Sequence, residues 1–98
     1  MLKGVLEGII LQIIDRKEVY GYEIVKCLIN MDLHDIAEGT VYTILMRLER
    51  NGLVNITRCP SELGPPRKFY TLNEKGKQEL AIFWEKWNFI KERIEKNK

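Results

Sequence analysis

The sequence predicts a mainly helical domain with one small β-hairpin, in the order α-α-α-β-β-α, and three observations carry that prediction. Apolar residues recur three and four apart in three early segments, which is helical spacing. Between Leu53 and Leu72 the period changes to alternation around a loop stiffened by three prolines, which is hairpin spacing. A long last segment returns to helical spacing. Two short helices joined by a turn and followed by a hairpin make a winged helix-turn-helix. Ninety-eight residues suit one domain with a small core, so burial against a second subunit would help it.

The first helix spans Met1 to Asp15. Leu2, Val5, Leu6, Ile9, Ile10, Ile13 and Ile14 cover a face wider than one contact needs, so one side suits the domain and the other a partner subunit. Gly4 and Gly8 lie one turn apart on it. A glycine inside a helix costs about 1 kcal/mol against alanine, so the pair suggests close packing or a groove, with fraying as the alternative at Gly4. Arg16 to Val19 reads as a polar connection. The second helix runs from Gly21 to about Met31, with Ile24, Val25, Leu28 and Ile29 apolar.

After a turn over Asp32 to Ala37, the third helix begins at Glu38 and stops at Asn51-Gly52, residues that accept the left-handed conformation of a helix C-terminus. Val41, Ile44, Leu45 and Leu48 share its inner side. Thr40, Tyr42, Thr43, Met46, Arg47 and Arg50 occupy the others. The strands are read at Leu53–Cys59 and Arg67–Leu72, with Pro60 to Pro66 as the loop and Tyr70 in the core. Asn73 caps the last helix, from about Glu74 to Lys96, roughly 34 Å at 1.5 Å per residue. Leu80, Phe83, Trp87, Ile90 and Ile94 form a three-four-three-four seam for another helix. Residues 1–73 are thus expected to form the winged helix-turn-helix unit and residues 74–98 a dimerisation helix. The interface would take Leu6 and Ile10 from the first helix and Leu80, Phe83, Trp87, Ile90 and Ile94 from the last.

The net charge of +2 says little, but its distribution does. Residues 1–46 sum to −3, residues 47–77 to +4 and the remainder to +1. Positive charge gathers at the end of the third helix and along the hairpin, where a phosphate-facing surface needs it. The apolar run Val5–Ile14 is interrupted by Glu7 and Gln12 and is too short to span a bilayer, so a cytoplasmic protein with no membrane partner is expected. Cys27 and Cys59 make no disulfide framework, and His34 alone offers no histidine metal site. With no phosphate loop, metal cluster or nucleophile–base pair, an enzyme is not expected, nor a cofactor. The carboxylates Asp32 and Asp35 are spaced as surface groups. Two binding functions compete: a DNA reader, and a winged-helix module for protein contacts. The basic hairpin and the hydroxyl-bearing helix face favour DNA.

Three stretches resemble one family, in its order and spacing: Tyr20–Ile24, Gly39–Leu53, and Gly64–Gly76 with its Gly-Pro-Pro-Arg-Lys-Phe-Tyr. They are similar to the PadR family of transcriptional regulators, over nearly the whole chain, and the single closing helix resembles its short, multidrug-sensing branch. The resemblance implies a homodimer that binds a double-stranded DNA operator and represses transcription, often of a transporter or detoxification gene. It implies a third helix in the major groove, with Thr40, Tyr42 and Thr43 as contacts, and a wing that places Arg67 and Lys68 on the DNA. Met46 stands where members often carry lysine, and Ala37 where serine or asparagine often caps the helix.

Trp87 also suggests a ligand. Tryptophan is an awkward filler for a helix seam, because its N–H wants a partner when buried. Two Trp87 indoles facing across a two-fold axis would sandwich a planar aromatic or cationic compound, with Gly4 and Gly8 bordering the gap. The short multidrug-sensing relatives carry a tryptophan at the matching position, which implies the same use. The alternative is a closed seam in which Trp87 is plain interface. Trp84 is read as core.

Overall fold

In the computed structural model, residues 2–16, 18–33, 36–61 and 64–97 are described. The readings of Met1 in the first helix, of His34 and Asp35, and of the hairpin tip at Glu62 and Leu63 lie outside the described residues. The elements are α1 (Leu2–Arg16), β1 (Val19–Tyr20), α2 (Gly21–Asn30), α3 (Glu38–Arg50), β2 (Val54–Ser61), β3 (Gly64–Leu72) and α4 (Glu74–Lys96). This is the winged helix-turn-helix order with one added strand.

Several helix ends have a local reason. Glu23 reaches back so that the Tyr20 backbone N–H donates to its Oε1 at 3.1 Å, starting α2. α2 and α3 both end in Schellman turns. At the first, the Leu33 N–H donates to the Leu28 carbonyl at 2.9 Å and Asp32 takes φ +64°. At the second, the Leu53 N–H donates to the Leu48 carbonyl at 3.0 Å and Gly52 takes φ +69°. No side chain caps the start of α3 at Ala37. Asn73 caps α4 by accepting from the Gly76 N–H at 2.8 Å, while its Nδ2 donates to the Gly52 carbonyl at 2.7 Å, tying α4 to the end of α3.

The sheet order is β1-β3-β2, all antiparallel. Val19 and Tyr20 pair with Tyr70 and Phe69, so the expected polar connection after α1 is in fact a short strand. The hairpin is also longer than the alternation indicates. It pairs from Val54↔Leu72 out to Ser61↔Gly64, with an irregularity between Cys59 and Ser61 that contains Pro60. Pro65 and Pro66 lie in β3 opposite that irregularity, where the register passes from Cys59↔Arg67 to Ser61↔Gly64 and regular ladder bonding is interrupted.

One core joins the elements: Leu6, Ile10 and Ile14 of α1, Ile24 and Leu28 of α2, the four inner residues of α3, then Leu53, Val54, Tyr70, Leu72 and Leu80. This corrects part of the expected interface. Leu6 and Leu80 are buried and Ile10 is 0 % exposed within the single chain, so these three pack the chain's own core and offer a second subunit little surface. The core of so small a domain consumes the inner side of α1 completely. No described helix is long and apolar enough to cross a membrane.

Candidate nucleic-acid interface

The core fixes which residues α3 turns outward. Burying Val41, Ile44, Leu45 and Leu48 leaves Gly39, Tyr42, Thr43, Met46, Glu49 and Arg50 exposed, with Thr40 at the margin. The Thr43 hydroxyl donates to the Gly39 carbonyl at 2.9 Å. Tyr42 leans on the first turn of α2, its Cε1 2.6 Å from where a side chain on Gly21 would begin. Burial, and then the nearby Glu38 carboxylate, raise the Tyr42 phenol above its usual pKa of 10.0, so it stays a neutral hydrogen-bonding group. Met46 is 61 % exposed at the middle of the face.

Arg47 departs from expectation. Its Nη1 lies 3.3 Å from Glu7 Oε2, so it is turned toward α1 and away from the outer face. Arg50 is exposed at the end of α3, and the wing brings Arg67 and Lys68 to α3's outer side, with Arg58 opposite Lys68 on β2. The Arg67 guanidinium sits 5.0 Å from the Tyr20 ring centroid, and Lys68 Nζ is 3.9 Å from Glu49, a loose exposed pair. Between α3 and the wing lies an open cleft of about 550 Å³, whose walls include Tyr20, Tyr22, Tyr42, Met46, Arg67 and Lys68. The structure therefore brings Tyr42, Met46, Arg67 and Lys68 to one cleft, places Thr43 beside it on α3, and takes Arg47 away.

A second set of candidates meets where α1 crosses α4. Gly8 is buried because the Phe83 ring fills the space a side chain would take, whereas Gly4 has nothing within 4 Å. Phe83 stacks on Trp87 (centroids 6.5 Å apart, 18° between planes) and meets Trp84 edge-on. Trp84 is not core: it is exposed and held to α1 by donating from Nε1 to Gln12 Oε1 at 2.9 Å. Trp87, 39 % exposed, stands between two open clefts. One, of about 400 Å³, is bordered by Gly4, Gly8, Trp87 and the carboxylates of Glu7 and Glu79; the other, of about 550 Å³, lies on the Trp84 side. Beyond Phe83 the apolar residues of α4, Trp87, Phe89, Ile90 and Ile94 among them, are exposed.

Residues 10–82 match the Transcriptional regulator PadR-like family. The chain belongs to the PadR family. A PadR-like transcriptional regulator from Bacillus cereus is 40% identical, with 98% of this chain and 93% of that one aligned and a TM-score of 0.85. A Streptococcus transcriptional regulator is 39% identical over 96% of this chain and 92% of its own, with a TM-score of 0.86. The PadR of Bacillus subtilis, solved in complex with operator DNA, is 26% identical over 82% of this chain and 47% of its own, with a TM-score of 0.72. The family is one of transcription regulators rather than enzymes.

Sequence reasoning missed part of this PadR-like chain's outer face. Tyr20 and Tyr22 stack with centroids 6.4 Å apart, and Lys26 Nζ lies 5.1 Å from the Tyr22 centroid, extending the cationic and aromatic surface onto β1 and α2. A two-residue strand is too short to alternate. The one signal was an aromatic pair flanking Gly21.

Proposed function

We propose that the chain is a sequence-specific DNA-binding repressor that grips a pseudo-palindromic operator as a homodimer. The observation that carries this reading is the meeting of α3's exposed Tyr42 and Met46 with Arg67 and Lys68 of the wing in one cleft. Thr40, Tyr42, Thr43 and Met46 enter the major groove, and the wing cations hold phosphates and set the register. Arg47, paired with Glu7, joins them only if that pair opens. The operator complex of the Bacillus subtilis relative supports the same use of the fold. A module for protein contacts alone would need no such cationic rim.

The exposed apolar residues of α4 support dimerisation, because a single chain in water rarely leaves such a stripe uncovered. Residues 74–98 then act as the dimerisation element and residues 1–73 as the reading head, with Phe83, Trp87, Ile90 and Ile94 in the seam. A planar aromatic or cationic compound enters beside Trp87, Gly4 and Gly8, where Glu7 and Glu79 suit a positive charge. Glu7 also holds Arg47 of α3, so a cation in that cleft competes for the carboxylate that braces α3. Ligand entry changes the tilt between subunits and the spacing of the two α3 helices, and the operator is released. Footprinting on the DNA upstream of the protein's own coding region tests the reading. Two protected half-sites about one helical turn apart are expected. Absence of protection at micromolar protein overturns it. A planar aromatic cation should quench wild-type tryptophan fluorescence more than that of Trp87→Ala. Equal quenching overturns the ligand seam.

A further inference from the structure

The middle of α3's outer face is chemically unusual for a surface that reads DNA. Gly39, Thr43, Met46 and Arg50 follow one another at helical spacing down this face, all exposed. Arg50 has a charged fork, but it stands at the last residue of the helix. Gly39 has no side chain. The Thr43 hydroxyl already donates its proton to the Gly39 carbonyl. Met46, the most exposed large apolar side chain among the described residues, occupies the centre with neither a donor nor a charge. Such a centre cannot tell bases apart by hydrogen-bond pattern. In the major groove one base feature is apolar, the C5-methyl group of thymine.

We infer that Met46 reads a thymine methyl in each operator half-site, making it a specificity-determining residue rather than a neutral replacement for a cation. This rests on the operator reading above. The thioether is flexible and polarisable, so it closes around a methyl without needing the fixed geometry of a bidentate contact. Its neighbours supply what it lacks: Tyr42 flanks it with a neutral phenol, and the wing cations supply affinity that does not depend on sequence. Discrimination at the central position should therefore be modest, and sensitive to a single carbon.

The test uses duplexes enriched from a random-sequence pool by the full-length protein. Each thymidine is replaced singly by deoxyuridine, which removes only the methyl. At one thymine per half-site the replacement should weaken binding about fourfold, the value of one buried methyl at ~0.8 kcal/mol. In Met46→Ala the thymine-to-uracil ratio should fall to about one at that position. In Met46→Leu, which keeps an apolar tip, it should survive. Because Met46 packs into no core, these variants should melt as wild type does. If every uracil is tolerated, or the ratio persists in Met46→Ala, the inference is overturned while DNA binding stands. If no duplex is enriched or retarded at all, the operator reading falls and this inference with it.

Discussion

Gly4 and Gly8 differ by one helical turn, and the structure gives them opposite responses to the same substitution. Alanine in place of glycine within a helix gains about 1 kcal/mol, from a smaller loss of backbone entropy on folding. At Gly4 nothing lies within 4 Å, so Gly4→Ala should keep what part of that gain the helix end allows, about 0.5 kcal/mol. At Gly8 the added carbon would overlap the Phe83 ring, which Trp84 and Trp87 hold from two sides. Overpacking of that kind costs about 1–3 kcal/mol, so Gly8→Ala should lose about 1 kcal/mol net. For a chain of this size 1 kcal/mol corresponds to ~4–8 °C in melting temperature. The assay is thermal unfolding followed by circular dichroism, with all variants at one protomer concentration so that association does not move the midpoints. Adding Phe83→Leu, which opens the space, should turn Gly8→Ala from destabilising to neutral or better. If Gly4→Ala and Gly8→Ala shift the midpoint equally, or if Phe83→Leu leaves the Gly8 effect unchanged, then α1 and α4 do not pack through Gly8.

Asp32 holds φ +64° at the end of α2, a conformation that costs side-chain-bearing residues energy and costs glycine little. Asp32→Gly should therefore raise stability by about 0.5 kcal/mol, read as a higher urea midpoint at unchanged slope. The Tyr70 phenol is raised above 10.0 by burial, then by Glu49 and Tyr42. Its contribution is whole below the unfolded value and is lost as pH climbs through the higher folded one. Alkaline unfolding should thus be less steep in Tyr70→Phe, whereas identical profiles would place the phenol in water. Replacing both Ile90 and Ile94 by aspartate puts charge on the exposed stripe of α4 while sparing the core, so sedimentation should report a folded monomer that no longer retards DNA. A wild-type protein that sediments as a monomer at micromolar concentration removes the basis for that prediction.

Period and punctuation made most of the fold legible. The stop at Asn51-Gly52, the Asn73 cap and the extent of α4 all follow from local chemistry that needs no tertiary partner. What escaped depended on partners distant in sequence. β1 exists because Phe69 and Tyr70 offer a free strand edge some fifty residues later, which no local pattern announces. The wing ran longer than expected because its prolines fall in an irregularity of the β2–β3 register, a place where proline is tolerated within a hairpin. Periodicity marked the broad apolar face of α1 but could not divide it, and the core claimed Leu6 and Ile10 outright. In the site, Tyr42, Arg67 and Lys68, which the family resemblance singled out, line one cleft together with Met46. The Arg47–Glu7 contact was not legible, because the two residues lie forty apart in sequence and on different helices.

The central claim is that the face built by α3 and the wing holds the phosphate backbone of DNA. The most direct measurement is the binding constant for an enriched duplex across a series of salt concentrations, for the wild type and for the double variant Arg67→Ala/Lys68→Ala. Each phosphate contact releases counterions and adds ~0.9 to the slope of log K against log salt. The wild type should show a steep linear fall. The double variant should bind every duplex more weakly, with a slope shallower by about one per residue in each half-site. A wild-type affinity indifferent to salt, or an unchanged slope in the double variant, would contradict the account.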